Sequence, residues 1–195
     1  MRSSAATLAN VAQTTVHVFT FKDGLLARLA HDLRLTVGRF ELTLQHGALR
    51  GWFDPKSLRV DGVAHGERVD AGALSAADKQ KIEHTITSPE LLDVAHYPRI
   101  ELEGKLGQLD GHFELDATLR VRGVQRALRV PLRLDARGAT ASIELTPSHY
   151  GVAPYKALAG AIRLQDRVLI RVQIHEERDK LATLASSEEV STFRS

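Results

Sequence analysis

The chain has 195 residues, of which 43% are hydrophobic and 26% charged, a composition typical of one globular domain. Its 26 basic and 24 acidic side chains give a formal charge of +2 and alternate along the sequence, which argues against the basic cluster of a nucleic-acid-binding surface. Because the sequence has no cysteine, disulfides, thiolate nucleophiles and cysteine metal sites are excluded.

The N-terminal residues 1–13 are small and polar, which predicts a flexible terminus. They lack the apolar run of roughly 7 to 15 residues that a signal peptide needs. No apolar stretch approaches the roughly 20 residues of a membrane span. We therefore expect a cytoplasmic protein that is not an integral membrane protein.

The first half of the chain shows strand-like patterns. Residues 14–21 are rich in β-branched and aromatic side chains, and a second strand is predicted to end at Val37, preceded by a helical turn. Residues 40–45 and 48–53 alternate apolar and polar side chains. Pro55 predicts a turn before a short strand at 58–60, and residues 61–75 are interpreted as a loop.

A helical insert is predicted over residues 76–93. Ser75 and Asp78 have the spacing of a capping box, and Ile82 and Ile86 fall on one helical face. Ser88 is predicted to cap a second short helical turn that begins at residue 89.

The second half returns to the strand pattern. Residues 112–121 alternate strictly, so one face of this strand is apolar and the other polar. Residues 100–106, 128–134 and 143–145 behave similarly, and Pro131 predicts an edge or bulge. A final hairpin over residues 162–174 is predicted to turn at 165–167.

These elements predict an all-β fold of about eight antiparallel strands with one short helical insert. A closed up-and-down barrel accommodates them, because eight strands enclose just enough space for side chains or one small ligand. A two-sheet sandwich has the same alternation and stays open as the alternative. The predicted domain spans residues 14–175, between the flexible N-terminus and a polar C-terminal tail at 176–195.

Several motifs together resemble the YceI-like family. Residues 81–98 resemble its helical insert and the Tyr-Pro that follows, and residues 119–132 resemble a strand, a His-Gly-Val-Thr turn and the return strand. Residues 148–152 are similar to the family's Ser-Asp-Phe-Gly-Ile, and 165–168 to its Asp-x-Val. The motifs occur in the family's order over residues 14–175.

This resemblance implies a lipocalin-like antiparallel barrel, often dimeric, whose apolar interior holds a polyisoprenoid chain or an isoprenoid quinone. We expect the chain to depart from the family at four places. No export signal is recognised, and residues 21–33 replace the family's Phe-x-Val-x-His and Val-x-Gly-x-Phe. Arg122 replaces the turn histidine, and Leu91 and Leu92 replace a Phe-Phe pair. The expected partner is an apolar small molecule, with no nucleic acid and no further cofactor, and the expected oligomer is a homodimer.

The inward-facing apolar side chains are the candidate ligand site, since apolar surface removed from water stabilises a bound chain by about 25 cal/mol per Å². Ala117 and Gly51 on the same face leave room for a cavity. The candidates are Phe40, Leu42, Phe53, Leu102, Phe113, Leu115, Leu119, Val130, Leu132, Ile143, Leu164 and Ile170.

His31 and Asp32 are the polar candidates, because they could hydrogen-bond a ligand head group while the carboxylate fixes the imidazole tautomer. A histidine satisfied by backbone carbonyls is the alternative. The nine histidines lack metal-ligand spacing on the predicted helix, so a metal or haem site is the weakest hypothesis.

No catalytic motif is present, and no Gly-x-Ser-x-Gly elbow occurs, so we expect a binding protein and not an enzyme. The rival is an interaction module with a barrel filled by side chains, which docks a partner through Trp52 and the C-terminal tail.

Overall fold

The computed structural model describes residues 6–7, 14–23, 31–109, 112–135, 138–157 and 162–175. Within them, thirteen strand segments form an antiparallel sheet, accompanied by one α-helix and two short 3-10 helices. This confirms the all-β antiparallel fold with one short helix. Most of the predicted flexible N-terminus, the helical turn predicted before Val37 and the tail at 176–195 lie outside the described residues.

The strands follow one another along the sheet in the order β1-β4-β5-β8-β9-β10-β11-β13-β2-β3-β6-β7, with β12 paired to β13. Their bounds are β1 Ala6–Thr7, β2 Thr15–Lys22, β3 Leu33–Val37, β4 Phe40–Gln45, β5 Ala48–Phe53, β6 Leu58–His65, β7 Arg68–Asp70, β8 Ile100–Leu109, β9 His112–Val121, β10 Val124–Asp135, β11 Gly138–Leu145, β12 Lys156–Ala157 and β13 Ile162–Ile174. The helix α1 is Ala76–Thr87, and the 3-10 helices are Pro55–Ser57 and Pro147–Tyr150.

Cross-strand register aligns the apolar positions on one inner face. Leu102 of β8 faces Leu119 of β9, and Leu115 of β9 faces Val130 of β10. Since strand side chains alternate between faces, these pairs place every second residue inside and leave the charged residues outside. The alternation seen in the sequence therefore produces the buried core of this sheet.

The predicted count of eight strands is not confirmed, because the chain bends at one corner and the ladders separate there. Gly38 donates to the carbonyl of Ser57 at 3.1 Å, and the amide of Asp54 donates to the carbonyl of Arg39 at 2.9 Å. On either side of these bonds β3 pairs with β6, whereas β4 pairs with β5. In the described residues no ladder joins β4 to β6 or β7, so the sheet is not closed by strand pairing.

The prediction of a loop at 61–75 is wrong for its first half. β6 continues to His65, and β7 pairs with it through Val63 and Asp70. A Cβ on Gly62 would lie 2.2 Å from the Asp70 carbonyl oxygen, so the glycine permits close approach of the two backbones. Glycine in this segment therefore reflects strand packing as well as turns.

The hairpin turn predicted at residues 165–167 is also wrong, and the prediction for Ser88 is wrong in its capping role. Residues 165–167 lie inside β13 as an irregularity between Leu164 and Val168, because the paired strand β2 continues past them. A turn does follow α1 at residues 89–92, where the Leu91 amide donates to the Ser88 carbonyl at 3.2 Å. Ser88 is not its N-cap, however, but the C-cap of α1, and its hydroxyl donates to the Thr85 carbonyl at 2.8 Å.

The helix α1 begins as predicted, with the reciprocal Ser75–Asp78 capping box in place. Ile82 and Ile86 pack against the inner-face cluster formed by β2, β3 and β6. Thus α1 covers part of the apolar face that strand pairing leaves open. None of the helices in the described ranges is long and apolar enough to cross a bilayer.

Candidate ligand-binding cavity

An apolar cavity lies on the inner face of seven strands. The cavity has a volume of about 110 Å³ that is accessible to water-sized molecules. Together with the part that opens to solvent, the space between the side chains is about 1000 Å³. All of the lining residues are aliphatic or phenylalanine. Such a surface favours an apolar occupant, because it offers water no hydrogen-bond partner.

Ten of the twelve predicted apolar residues line this cavity, on β4, β5, β8, β9, β10, β11 and β13. They are Leu42, Phe53, Leu102, Phe113, Leu115, Leu119, Val130, Leu132, Ile143 and Ile170. Their contribution to ligand binding stays a prediction.

The other two apolar candidates lie elsewhere. Phe40 packs against Phe53 with ring centroids 5.9 Å apart, at the corner where β3 leads into β4. The amide of Leu164 donates to the carbonyl of Tyr155 at 3.1 Å, beside the β13 irregularity. Neither residue belongs to the cavity lining. Phe40 still packs against the core beside the cavity, and the β13 irregularity separates Leu164 from the lining residue Ile170.

The residues predicted from the sequence form only part of the lining. Most of the missed residues continue the same alternation along strands already considered, so that pattern could have found them. Ala139 and Ala141 carry a weaker hydrophobic signal and face the cavity because of the β11 register. The missed residues are Leu44, Leu49, Leu106, Leu128, Leu134, Ala139, Ala141, Val172 and Ile174.

Two glycines of the inner wall permit close packing beside the cavity. Gly104 of β8 lies opposite Ala117 of β9, and a Cβ at this glycine would be 2.7 Å from the Ala117 Cβ. A Cβ on Gly51 would similarly lie 2.4 Å from Leu42 Cδ2. Neither glycine belongs to the cavity lining, so these positions let neighbouring residues of the wall pack closely beside the cavity.

One end of the cavity is closed by packed side chains. Leu102 and Leu119 are buried there, in a cluster with Leu92 and the buried ring of Tyr150. Burial raises the pKa of the Tyr150 hydroxyl. The side chains of Leu106 and Phe113, nearer the β8–β9 hairpin end, are only half-buried. The cavity is therefore most enclosed beside the turns that follow α1.

The polar pair His31–Asp32 is not part of this lining. Asp32 accepts a hydrogen bond from the amide of Lys22 at 2.8 Å, and its own carbonyl accepts one from Ala64 at 2.8 Å. His31 is exposed next to it. The carboxylate therefore links β2 to the start of β3, and the predicted hydrogen bond to a ligand head group stays untested.

The outer face of the sheet carries ion pairs. Asp61 accepts from Arg34 Nε at 2.6 Å and from Thr36 Oγ1 at 2.9 Å. Neighbouring His17 has its pKa lowered mainly by burial and further by Arg34 and Arg171, whereas Asp61 acts in the opposite direction. These contacts lie on the face away from the cavity and stabilise the β2–β3–β6 region.

Trp52 also lies on the outer face, in a shallow polar depression. Its Nε1 donates to Glu41 Oε2 at 3.2 Å, and the Arg99 guanidinium lies 4.6 Å from the ring centroid. The ring is half-buried by these neighbours.

In the portion of the chain that the structure describes, no group of three or more histidine, aspartate or glutamate side chains could hold a metal ion.

Comparison with known structures identifies the architecture. The structure of Burkholderia cenocepacia BcnA superimposes with a TM-score of 0.59 at 13% identity, covering 84% of this chain and 96% of that one. A Campylobacter jejuni YCEI protein gives a TM-score of 0.38 at 12% identity, covering 78% of this chain and 74% of that one. A mutant CJ YCEI protein with a monobromobimane guest gives 0.45 at 11% identity, covering 60% and 70%.

The similarity to BcnA shows a shared fold, and at this low identity it shows nothing more. No curated protein matches the sequence at a significant level. The family model for the YceI-like domain, however, matches residues 11–175, which include the whole cavity. The chain therefore belongs to the YceI-like family.

Proposed function

We propose that the domain at residues 14–175 binds an apolar, isoprenoid-type lipid or quinone in its interior and performs no chemistry on it. The observation that carries this proposal is the cavity lined by aliphatic and phenylalanine side chains alone. Membership in the YceI-like family adds support, because polyisoprenoid binding is common in that family.

The dimensions of the cavity favour a chain-like ligand. The part open to water-sized molecules, about 110 Å³, is of the order of the roughly 150 Å³ apolar cavity that binds benzene in an engineered protein. The wider space of about 1000 Å³ includes the part that opens to solvent, so the enclosed part continues into an open trough. We infer that one end of the chain occupies the enclosed part and the remainder lies along the open part.

The bent strands suggest how the domain encloses its ligand. If β3 with β4, and β5 with β6, are each counted as one strand bent at the corner, the long strands number eight. This count is part of our proposal, and in it α1 covers the region where the ladders separate. The apolar walls of β4, β5, β8, β9, β10, β11 and β13 would then surround the ligand.

Native mass spectrometry of protein purified without detergent tests the proposal. Organic extraction and identification of the released molecule should yield a stoichiometric isoprenoid lipid or quinone. A protein that is empty, and that also fails to bind added geranylgeraniol, would contradict the proposal and favour the interaction module.

Two further expectations have their own tests. Cell fractionation tests the expected cytoplasmic location, and sedimentation of the purified protein tests the expected homodimer.

A further inference from the structure

Two neighbouring strands of the cavity wall are joined over only part of their length. The β10–β11 ladder consists of Leu132 opposite Ala141 through Asp135 opposite Gly138. Residues 124–131 of β10 pair with β9, and residues 142–145 of β11 pair with β13. In the described part of the chain, no ladder joins these two stretches to each other. We refer to the space between residues 127–131 and residues 142–145 as the seam.

Pro131 explains where the ladder ends. It is the last residue of the unjoined stretch, directly before Leu132, and it has no amide hydrogen to donate to a neighbouring strand. Proline inside a sheet is therefore restricted to edges and irregular positions. Continuing the register past Leu132 and Ala141 would place Pro131 opposite Ser142.

The charged side chains beside the seam pair away from it. Continuing the same register would place Arg129 opposite Glu144, a favourable cross-strand pair. Instead, Arg129 Nε lies 3.0 Å from Asp116 Oδ1 on β9, and Glu144 Oε2 lies 2.7 Å from Arg167 on β13. Each charge holds its strand to the partner on the far side, so this potential ion pair does not fasten the seam.

The seam has defined ends. The Leu132–Ala141 pair closes one end, and at the other end Arg126 Nε donates to the carbonyl of His149 in the second 3-10 helix at 3.1 Å. The five residues 127–131 between these points span about 17 Å of strand at roughly 3.3 Å per residue. This length is enough for a chain molecule to pass between the strands.

The cavity lies directly behind the seam. Leu128 of β10 and Ile143 of β11 line the cavity on the two sides of the seam and are half-buried, and the neighbouring lining residue Val130 is buried. Passage between two wall strands that are laddered along their length would require breaking ladder hydrogen bonds, for example those of β8 with β9 or of β11 with β13. Separation at the seam breaks no such ladder.

We propose that the seam between β10 and β11 is the lateral entrance through which an apolar chain ligand enters and leaves the cavity. This inference rests on the proposed function. Arg129 and Glu144 flank the entrance on its outer side, and Leu128 and Ile143 form its inner edges. Strand separation at the seam then sets the rate of exchange without changing the walls that hold the bound ligand.

Reversible cross-linking tests the entrance, because the sequence has no native cysteine to interfere. The double variant Arg129→Cys with Glu144→Cys is joined by a short bifunctional methanethiosulfonate, and mass spectrometry verifies the link. The probe is all-trans-retinol, an isoprenoid alcohol whose fluorescence reports an apolar environment. Stopped-flow fluorescence measures uptake and release, and equilibrium titration measures the Kd.

The matched control places the same link across a complete ladder. Glu103→Cys with Thr118→Cys serves this purpose, because these exposed residues face each other on β8 and β9. We expect the link across the seam to slow uptake and release by about tenfold or more with the Kd unchanged, since exchange then requires another opening. Reduction should restore both rates, and the control link should leave them unaltered.

Two results would overturn the proposal that the seam is the ligand entrance. Unchanged exchange rates in the linked seam variant, with retinol still bound, would place the entrance elsewhere and leave the proposed function intact. A change in the release rate alone, with the Kd changed by the same factor, would make the seam part of the binding wall. If the wild-type protein binds no retinol in the same assay, the proposed function fails and the entrance fails with it.

Discussion

The backbone amide of Val60 donates a hydrogen bond to Glu83 Oε1 across 2.8 Å, which connects the edge of β6 to α1. Lys79 Nζ on the same helix donates to the carbonyl of Asp61 at 2.9 Å. Side chains of α1 therefore satisfy backbone groups that a further strand would otherwise pair. The helix covers a strand edge as well as an apolar face.

Replacing Glu83 should weaken this connection. Glu83→Ala leaves the Val60 amide without its acceptor, which costs about 1–3 kcal/mol of unfolding free energy. Glu83→Gln keeps a carbonyl acceptor and should cost less. Chemical denaturation measures both variants against Gln80→Ala, at an exposed position of the same helix. Equal stability of Glu83→Ala and Gln80→Ala would show that the hydrogen bond does not fasten the helix.

Two glycines on β8 should respond differently to the same substitution. A Cβ on Gly104 would lie 2.6 Å from the carbonyl oxygen of Asp116, so Gly104→Ala should destabilise the fold by about 1–3 kcal/mol. A Cβ on Gly107 would meet nothing within 4 Å, so Gly107→Ala should be neutral or slightly stabilising. Thermal unfolding compares them, and equal effects would contradict the close β8–β9 approach at Gly104.

The His17 environment should make stability depend on pH. Burial and the charges of Arg34 and Arg171 lower the pKa of His17 from its ordinary value of 6.5. The unfolded chain therefore binds this proton first, so stability falls as the pH decreases from about 6.5 towards the lower folded-state pKa.

In His17→Gln, the loss of Tm between about pH 7.5 and about pH 5 should be smaller than in the wild type. His112→Gln, at an exposed strand end, is the matched variant and should retain the wild-type pH profile. A His17→Gln profile that parallels the wild type would refute this coupling.

The alternation of apolar and polar residues within strands predicted the cavity wall more successfully than it predicted the turns and loops between strands. The strict alternation of residues 112–121 placed Phe113, Leu115 and Leu119 on the inner face, because both neighbouring strands pair in register with β9. The capping box at Ser75 could also be predicted, since its two hydrogen bonds involve residues only three positions apart.

Contacts between segments that are distant in the sequence could not be predicted from local sequence patterns. The polar residues 165–167 resemble a turn, yet Asp166 accepts hydrogen bonds from the Ser148 hydroxyl and from its amide, the latter at 2.9 Å. Arg122, which departs from the family motif, donates to the carbonyls of Leu91 and Gly151 at 2.8 and 3.1 Å. Neither arrangement is visible in sequence, because each depends on a segment that only the fold brings close.

The central claim is that the interior of the sheet holds the ligand, and one pair of neighbouring residues tests it most directly. Ala141 lines the cavity, whereas Ser142 is exposed on the outer face. In Ala141→Phe the ring should project into the space of about 110 Å³. Ser142→Phe adds an equally large side chain outside.

Geranylgeraniol binding to both variants is the decisive measurement, with thermal unfolding to verify that each is folded. We predict that Ala141→Phe weakens binding by about tenfold or more, which corresponds to about 1.4 kcal/mol. Ser142→Phe should bind as the wild type does. Wild-type affinity in a folded Ala141→Phe protein would contradict an interior ligand site.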